Sequence, residues 1–454
     1  MVFCAEDVKK HLPQMTDQLT QLVACPTVRG TAEEGYPFGR EVARCLDIAL
    51  GFGRQMGYQV KNMDNYCGYI QMGQGEQIIG IAAHLDVVPP GDGWATNPYT
   101  LTRQGNTLYG RGVSDDKGAA VAALWAMELV RQAGLPLNRR VRLILGCAEE
   151  TGSECMAHYA ASEGGVWAGF TPDGNFPGIH GEKGGCALTF FAKKTKIIQA
   201  EGGFVTNAVC PQCTVVVPAD AVDQNALRQA LQNTPLTSFE LSSGDNQITI
   251  EAHGTAAHAA SPTLGVNAIG CTMQALQDAG VQDDFVQFYN RCIGTDCTGV
   301  GLGIAGQDAY GPLTLCNGTI TTKEGQISGT LDIRYPVTWN SKLLQDKLQP
   351  ALDQPDGSVQ INSIGEPLFY PANSPLVTAL ARAYATVTGD TKAKPMVIGG
   401  GTYAKSLPGI IAFGCEFPGT DNHIHDVNER LDIDEWCQQV AIYATAIANL
   451  LQQK

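Results

Sequence analysis

The chain has 454 residues, of which 44% are hydrophobic, and a formal net charge of −15 at pH 7. This composition allows a large buried core, and the length favours roughly two to four domains of ~100–200 residues each. The acidic excess disfavours nucleic acid and anionic membranes as partners, because like charges repel. Small neutral or zwitterionic ligands fit the charge better.

The beginning of the chain carries charged residues, among them Glu6, Asp7 and Lys9, where a signal peptide needs an apolar stretch. No run of about 18 apolar residues follows, so we expect a cytoplasmic protein without a membrane span. Its fifteen cysteines are then expected to be reduced thiols. Cys210-Pro-Gln-Cys213 could be half of a zinc knuckle or a redox pair, but buried thiols are the plainer interpretation.

In chain order, the first clear pattern is strand, helix, strand. The apolar run Ile78–Ala83 predicts a strand, and the Ala- and Leu-rich segment Lys117–Gln132 predicts a buried helix closed by Gly134. Arg140–Cys147 and Ala168–Thr171 predict two further strands. Alternation of this kind predicts a mostly parallel sheet flanked by helices, an α/β fold whose active site lies at the carboxyl ends of the strands.

After about residue 180 the pattern changes to short alternating strands with few helices. Asp223–Gln232 and Leu264–Ala279 are the predicted helices of this part, which indicates a separate α+β domain. A helix start at Ser374-Pro375 and an amphipathic helix over Ile433–Leu451 mark the return of the first pattern. We therefore predict a discontinuous domain of residues 1–179 and 371–454, interrupted by an inserted domain of residues 180–370.

Histidines and acids stand directly after several predicted strands and in later loops. Taken singly, each acid is expected to be a surface charge or a helix cap, as Asp115 and Asp116 could be. Taken together they offer the imidazole and carboxylate donors that Zn²⁺ or Mn²⁺ prefers. The predicted ligands are His84, Asp115, Glu150, Asp173 and His425. A serine nucleophile is disfavoured, because Ser114 lacks the G-x-S-x-G context.

The strings HLD, GRGVSDDKG, EETGSE, PDG and HDVNE occur in this order between about residues 80 and 430. They resemble the dizinc exopeptidase family of aminoacylases, glutamate carboxypeptidases and succinyl-diaminopimelate desuccinylase. The resemblance implies two divalent metal ions, zinc before manganese. It implies that His84 and Asp173 hold one ion, Glu150 and His425 hold the other, Asp115 bridges both, Asp86 orients His84, and Glu149 is the general base.

The inserted domain carries the string Gly254-Thr255-Ala256-Ala257-His258, which resembles the lid motif of that family. The resemblance implies that His258 reaches the oxyanion and that Asn207 and Arg334 bind the far end of the substrate, where a guanidinium suits a carboxylate. The glycine run with Gly400 and Gly401 lacks the lysine of a phosphate loop, so close approach of substrate to backbone is expected.

The strings GGGTYAK and FPGTDNHIHDVNE are most similar to the bacterial peptidase V type dipeptidases. This resemblance implies a two-lobed lid, a monomer and a small dipeptide substrate. An amidohydrolase of N-acyl amino acids would use the same metals and base, so it stays an alternative. A non-catalytic metal- or peptide-binding protein is a third possibility, which predicts loss of a base that is present as Glu149.

Overall fold

The structure is a computed structural model that describes residues 2–453, and these form two compact units. The first unit comprises the chain up to Gly181, Tyr370–Val397 and the chain from Gly401 onward. The second comprises Glu182–Phe369 and Ile398–Gly400. The predicted insertion of residues 180–370 thus differs from the second unit in lacking the short segment Ile398–Gly400.

Among the described residues, the helices vary from one turn to five turns. In chain order they are α1 Ala5–Lys9, α2 Leu12–Val23, α3 Arg40–Gln55, α4 Lys117–Gln132, α5 Glu154–Glu163, α6 Gln224–Gln232, α7 Ala268–Asp278, α8 Asp284–Cys292, α9 Ser341–Leu348, α10 Pro375–Thr388, α11 Tyr403–Ser406 and α12 Ile433–Gln452. Within the described part of the chain, no helix combines the length and the apolar character that crossing a membrane requires.

The strands of the same residues belong to two large sheets and two small ones. They are β1 Gln59–Met63, β2 Cys67–Met72, β3 Ile78–His84, β4 Thr102–Gln104, β5 Thr107–Tyr109, β6 Arg140–Gly146, β7 Ala168–Thr171, β8 Ile179–Glu182, β9 Gly184–Ala192, β10 Gln199–Gly202, β11 Gln212–Pro218, β12 Ser238–Gly244, β13 Gln247–His253, β14 Gln307–Asp308, β15 Gly311–Pro312, β16 Thr314–Lys323, β17 Gln326–Tyr335, β18 Gly357–Gly365, β19 Leu368–Phe369, β20 Met396–Ile398, β21 Ile410–Ala412 and β22 Arg430–Asp432.

The sheet of the first unit has a parallel centre. Its strands follow the order β1-β2-β6-β3-β7-β21-β8, and β6, β3, β7 and β21 run parallel to one another. The outer strands β1, β2 and β8 pair antiparallel. Because parallel strands end at the same edge, the loops after β3, β6, β7 and β21 meet there.

Buried helices cover this sheet. Every residue of α4 from Lys117 to Val130 is buried, and α4 packs on β3 and β6 and against α12. The indole N–H of Trp436 in α12 donates to the carbonyl of Gly118 in α4 at 2.9 Å. The helix α12 also packs on α10. The predicted α/β class with a mostly parallel, helix-flanked sheet is confirmed.

The helix predicted over Leu264–Ala279 is present, but its predicted start is wrong by four residues. Pro262–Leu264 forms one 3₁₀ turn, and α7 begins only at Ala268. The side-chain oxygen of Asn267 accepts the N–H groups of Ile269 and Gly270, which caps the helix at that point. The start was misread because the apolar pattern continues upstream of the capping residue.

The second unit is built on one antiparallel sheet of eight strands, in the order β12-β13-β11-β10-β16-β17-β9-β18. The helices α6, α7, α8 and α9 contribute to a large apolar core that spans this sheet, with Phe190, Tyr289 and Leu331 among its buried members. The two predicted lobes therefore share a continuous sheet and a common core.

A test of the parallel centre uses the close approach of β3 and β7. A Cβ at Gly169 would lie 1.8 Å from the carbonyl oxygen of Gly80, so Gly169→Ala should lower the free energy of unfolding by roughly 1–3 kcal/mol or more through overpacking. The matched control is Gly51→Ala in α3, where the nearest atom lies at 4.0 Å and stability should rise by up to about 1 kcal/mol. Equal urea midpoints for the two variants would contradict this packing.

Candidate metal centre

The candidate centre lies at the carboxyl edge of the first unit's sheet. His84 is the last residue of β3, Glu149 and Glu150 follow β6, and Asp173 follows β7. The loop after Gly110, which leads into α4, brings Asp115 to the same place. The topology of the sheet thus gathers residues that are up to 89 positions apart in this part of the sequence, from His84 to Asp173.

One carboxylate stands between two imidazoles. The Oδ1 atom of Asp115 lies 2.8 Å from Nε2 of His84, and its Oδ2 atom lies 2.9 Å from Nε2 of His425. The Nε2 atom of His425 also lies 3.1 Å from Oε1 of Glu150. Asp115 thus lies between the two histidines, and Glu150 lies beside His425.

Asp173, the fifth predicted ligand, also lies close to His84. Potential ligand atoms of His84, Glu149 and Asp173 all lie within 4.8 Å of one another, as do those of His84, Asp115 and Glu150. In the described part of the chain these are the groups of three or more side chains that could hold a metal ion. All five predicted ligands therefore belong to one cluster.

The electrostatics of the cluster favour cations. Burial alone would raise the pKa of Asp115, but hydrogen bonds to His425 and His84 hold it well below its usual range. The same carboxylate, and then Glu150, raise the pKa of His425 to about 11. Imidazole nitrogens and carboxylate oxygens at contact distance are the donor set that borderline divalent ions prefer, so the residues present fit a metal centre.

Glu149 differs from its neighbours in its contacts. Its carboxylate belongs to the group with His84 and Asp173, yet it makes no hydrogen bond or ion pair within 4.0 Å to any described residue. Burial, followed by the charge of Asp173, raises its pKa well above the ordinary value. A carboxylate that lies beside the cluster without a partner suits the predicted role of general base.

Asp86 contacts His84 and also supports the two glutamates. Its main-chain carbonyl lies 2.9 Å from Nδ1 of His84, while its carboxylate oxygen lies 3.6 Å away. The carboxylate accepts the main-chain N–H groups of Glu149 at 3.0 Å and Glu150 at 3.1 Å. The sequence predicted only the first contact, and the second places both glutamates.

The plainer interpretation of Asp116, a side chain that caps α4, does not hold. Asp116 occupies the position before the helix, but its side chain makes no cap with the helix N–H groups. Its Oδ2 atom instead accepts the main-chain N–H of His84 at 3.0 Å. The buried carboxylate therefore ties the end of β3 to the start of α4.

Glu429 was not among the residues predicted for the site, and it is completely buried. Its carboxylate accepts N–H groups from Gly112 at 2.8 Å, Ser114 at 2.9 Å and Asp115 at 3.0 Å, and it pairs with buried Arg111 at 2.9 Å. It thereby fixes the loop that presents the central aspartate. The signal was its position four residues after His425 in the HDVNE string.

In the second unit, the predicted substrate-binding residues lie around one loop. Ala208 and His258 form a β-bridge, and the N–H of Ala259 donates to the carbonyl of Asn207 at 2.9 Å. Arg334 donates to the carbonyl of Gly399 at 3.3 Å, and a Cβ at Gly399 would lie 2.6 Å from that of Ala260. His258, Asn207, Arg334 and Gly400 therefore belong to one region of this unit, whereas Gly401 belongs to the first unit.

Arg334 already has an acidic partner. Its Nε atom donates to Oδ1 of Asp332 at 2.6 Å and its Nη2 atom donates to Oδ2 at 2.9 Å. Two residues apart on β17, the pair faces the same side of the strand. The guanidinium is held in place, with Nη1 directed to the glycine run.

The pair Cys210 and Cys213 forms neither a disulfide nor part of a metal cluster, since all fifteen cysteines are free. Cys210 donates to the carbonyl of Gln212 at 3.0 Å, and the sulfur of Cys213 lies 3.4 Å from the hydroxyl of Thr272. Burial raises their thiol pKa values to about 11 and about 12. Both behave as buried small side chains, the plainer of the two interpretations.

A parallel sheet that gathers two imidazoles and several carboxylates at its carboxyl edge, with an unpaired glutamate beside them, defines a metal-dependent hydrolase. A model of the peptidase family M20/M25/M40 matches residues 80–449. The chain belongs to this family. The predicted resemblance and the predicted class of hydrolase, a metallopeptidase, are confirmed.

Curated relatives cover nearly the whole chain. "Putative dipeptidase YtjP" of Bacillus subtilis (strain 168) is 35% identical over 92% of this chain and 93% of its own length. "Putative dipeptidase" of Staphylococcus epidermidis (strain ATCC 12228 / FDA PCI 1200) is 30% identical over 98% of both. The crystal structure of human carnosine dipeptidase 1 matches 99% of this chain and 98% of its own with a TM-score of 0.58 at 16% identity, which shows a shared fold.

Glu429→Gln tests the loop that carries Asp115. The amide keeps one acceptor oxygen but places an NH₂ group against main-chain N–H donors and leaves buried Arg111 without its anion. We expect the free energy of unfolding, measured in urea, to fall by about 3–5 kcal/mol. Where the variant still folds, it should bind zinc more weakly in a chelator competition.

The matched control for that variant is Glu41→Gln. Glu41 pairs with Arg44 at 2.7 Å on the surface of α3, and exposed pairs of this kind contribute about 0–1 kcal/mol. Its stability and zinc binding should stay close to those of the unmodified chain. If Glu429→Gln behaved like this control, the carboxylate would not be what fixes the loop.

Proposed function

We propose that this protein is a dipeptidase that uses two divalent metal ions. The observation that carries the proposal is the Asp115 carboxylate between His84 and His425, with Glu149 unpaired beside the same cluster. The curated relatives, which carry dipeptidase names and align over almost the full length, support the substrate class.

The cluster divides into two sets of ligands around a shared carboxylate. His84 and Asp173 would hold one ion, Glu150 and His425 would hold the other, and Asp115 would contact both. Bound there, two divalent ions would supply electrophilic activation of the scissile carbonyl and of the attacking water. Zinc is proposed before manganese, because the set contains imidazoles as well as carboxylates.

The chain's own residues would move the proton. Glu149 would accept a proton from the attacking water and deliver it to the leaving nitrogen, so the amide bond is hydrolysed without a covalent intermediate. Asp86 would keep Glu149 and Glu150 in place through the two main-chain hydrogen bonds. Because these bonds are made by a buried carboxylate, the base is positioned before substrate arrives.

The residues that resemble the family's lid motif, together with the glycine run, each receive a proposed role. We propose that His258 stabilises the oxyanion and that Asn207, Arg334, Gly400 and Gly401 bind substrate. The grouping of His258, Asn207 and Arg334 around the second unit's loop supports a common task. The guanidinium of Arg334 is the positively charged member of the group and suits the carboxylate of a dipeptide.

A monomer in the cytoplasm is the further part of the proposal. Fifteen free cysteines, most of them buried, suit a reducing compartment. An inserted domain that supplies His258 within the same chain removes the need for a partner subunit to provide it. Sedimentation at several protein concentrations tests the monomer. The proposed partner is the small zwitterionic dipeptide itself.

Substitution of Glu149 separates catalysis from metal binding. Glu149→Gln should keep the metal content of the unmodified protein, because the residue is proposed to act on water, and should lower kcat by about 10²–10⁴-fold. The measurements are elemental analysis of the metal-loaded protein and hydrolysis of a dipeptide. His425→Ala is the contrasting variant, expected to lose metal and activity together, and full activity of Glu149→Gln would reject its role as base.

Substrate length and the free amine distinguish the candidate functions. The protein is stripped of metal, reloaded with Zn²⁺ or Mn²⁺, and incubated with alanyl-alanine, trialanine and N-acetyl-alanine. We expect hydrolysis of the dipeptide to be fastest, with the zinc form more active than the manganese form. Equal rates with trialanine would refute the length restriction, faster N-acetyl-alanine hydrolysis would favour the amidohydrolase, and no hydrolysis would favour a binding protein.

A further inference from the structure

Glu416 lies beside the metal centre but is not one of its predicted ligands. It stands four residues after the end of β21, the strand that runs parallel to β7. Its N–H donates to the carbonyl of Gly174 at 2.9 Å, and its own carbonyl accepts the N–H of Phe176 at 2.8 Å. The main chain of Glu416 is therefore fixed to the segment that directly follows Asp173.

The carboxylate of Glu416 has no cationic partner. It is half-buried, and its Oε2 atom accepts a hydrogen bond from the amide of Asn175 at 3.0 Å. Among the described residues, no lysine, arginine or histidine lies within 4.0 Å of it, and its Oε1 atom makes no hydrogen bond. Burying a carboxylate without a counter-charge costs free energy. A cationic group of the substrate that contacts Glu416 would offset this cost.

The surroundings of Glu416 are already acidic. Burial raises its pKa, with smaller contributions in the same direction from Asp115 and Asp421, while the amide of Asn175 acts against them. The carboxylates of Asp115 and Glu150 contact imidazoles. Glu416 instead leaves one oxygen available on the side of the sheet where the strand ends meet.

A dipeptide brings a positive charge to the same place. Its α-ammonium is attached to the carbon next to the scissile carbonyl, so it must bind close to the two metal ions when that carbonyl is attacked. The two metal cations repel the ammonium group there. A carboxylate that is not used as a metal ligand can offset this repulsion when it faces the ammonium. An N-acyl amino acid has no charge at this position and needs no such group.

We propose that Glu416 binds the N-terminal ammonium of the dipeptide and thereby makes the enzyme selective for a free α-amine. This inference rests on the proposed dipeptidase function and assigns one specificity-determining residue to it. Asn175 holds one oxygen of the carboxylate in place, and the other oxygen accepts the ammonium N–H. A charge-assisted hydrogen bond of this kind accounts for a preference of about 10- to 100-fold.

The test compares alanyl-alanine with propionyl-alanine, which has the same shape but lacks the amine. The unmodified, metal-loaded protein should hydrolyse alanyl-alanine at least about 10-fold more efficiently. Glu416→Gln, which can still accept a hydrogen bond from Asn175, should raise KM for alanyl-alanine about 10- to 100-fold. Its efficiency with propionyl-alanine should not change, nor its metal content. Where propionyl-alanine turnover is too slow, its inhibition constant against alanyl-alanine gives the same comparison.

The matched control is Glu435→Gln. Glu435 is a second half-buried glutamate of the first unit, it accepts one hydrogen bond from the neutral hydroxyl of Thr420 at 2.7 Å, and burial raises its pKa as well. This variant should keep the unmodified preference for the amine. The comparison separates loss of a charge at Glu416 from loss of any half-buried carboxylate.

Other outcomes overturn the proposal in distinct ways. Equal efficiency of the unmodified protein with both compounds would show that the amine is not recognised, although the hydrolase would stand. Parallel losses of Glu416→Gln with both compounds, with a lower thermal midpoint, would show that Glu416 acts by holding the Asn175 segment. Failure of the unmodified protein to hydrolyse either compound would refute the dipeptidase function itself.

Discussion

Negative charge concentrated at one edge of a sheet is the constraint on which the first unit depends. Several carboxylates meet where four parallel strands end, and they would repel one another without compensation. Part of the compensation comes from main-chain N–H groups, which Asp86 and Glu429 accept from the loops around the centre. Through these hydrogen bonds the two carboxylates hold the loops that carry Glu149, Glu150 and Asp115.

The central elements of this unit could be predicted because their sequences are locally unambiguous. Lys117–Gln132 is observed with the predicted bounds, and so is the strand Ala168–Thr171. Alanine and leucine favour the helix, and glycine follows its end, so local preference and tertiary burial agree. Such agreement failed at α7, where the capping side chain of Asn267 outweighed an apolar pattern that extends further upstream.

The members of the His and carboxylate cluster could be predicted, whereas the supporting contacts could not. His84, Asp115, Glu150, Asp173 and His425 stand in recognisable strings, and strand topology brings them together. Glu429 contacts a loop that lies more than 300 residues earlier in the chain, for example 317 residues for Gly112. Glu416 is fixed by pairing beyond the ends of β7 and β21. Contacts of that range follow from the register of the folded sheet, which a single sequence does not specify.

The charged side chains that we propose for substrate binding differ in sign between the two units. The first unit supplies carboxylates, including one without a cationic partner at Glu416, while the second supplies Arg334 beside His258 and Asn207. Both oxygens of Asp332 accept hydrogen bonds from one edge of the Arg334 guanidinium, so the aspartate orients the arginine and offsets part of its charge. A zwitterionic dipeptide presents one ammonium and one carboxylate, and each of the two proposed contacts, through Glu416 and through Arg334, concerns only one of these charges.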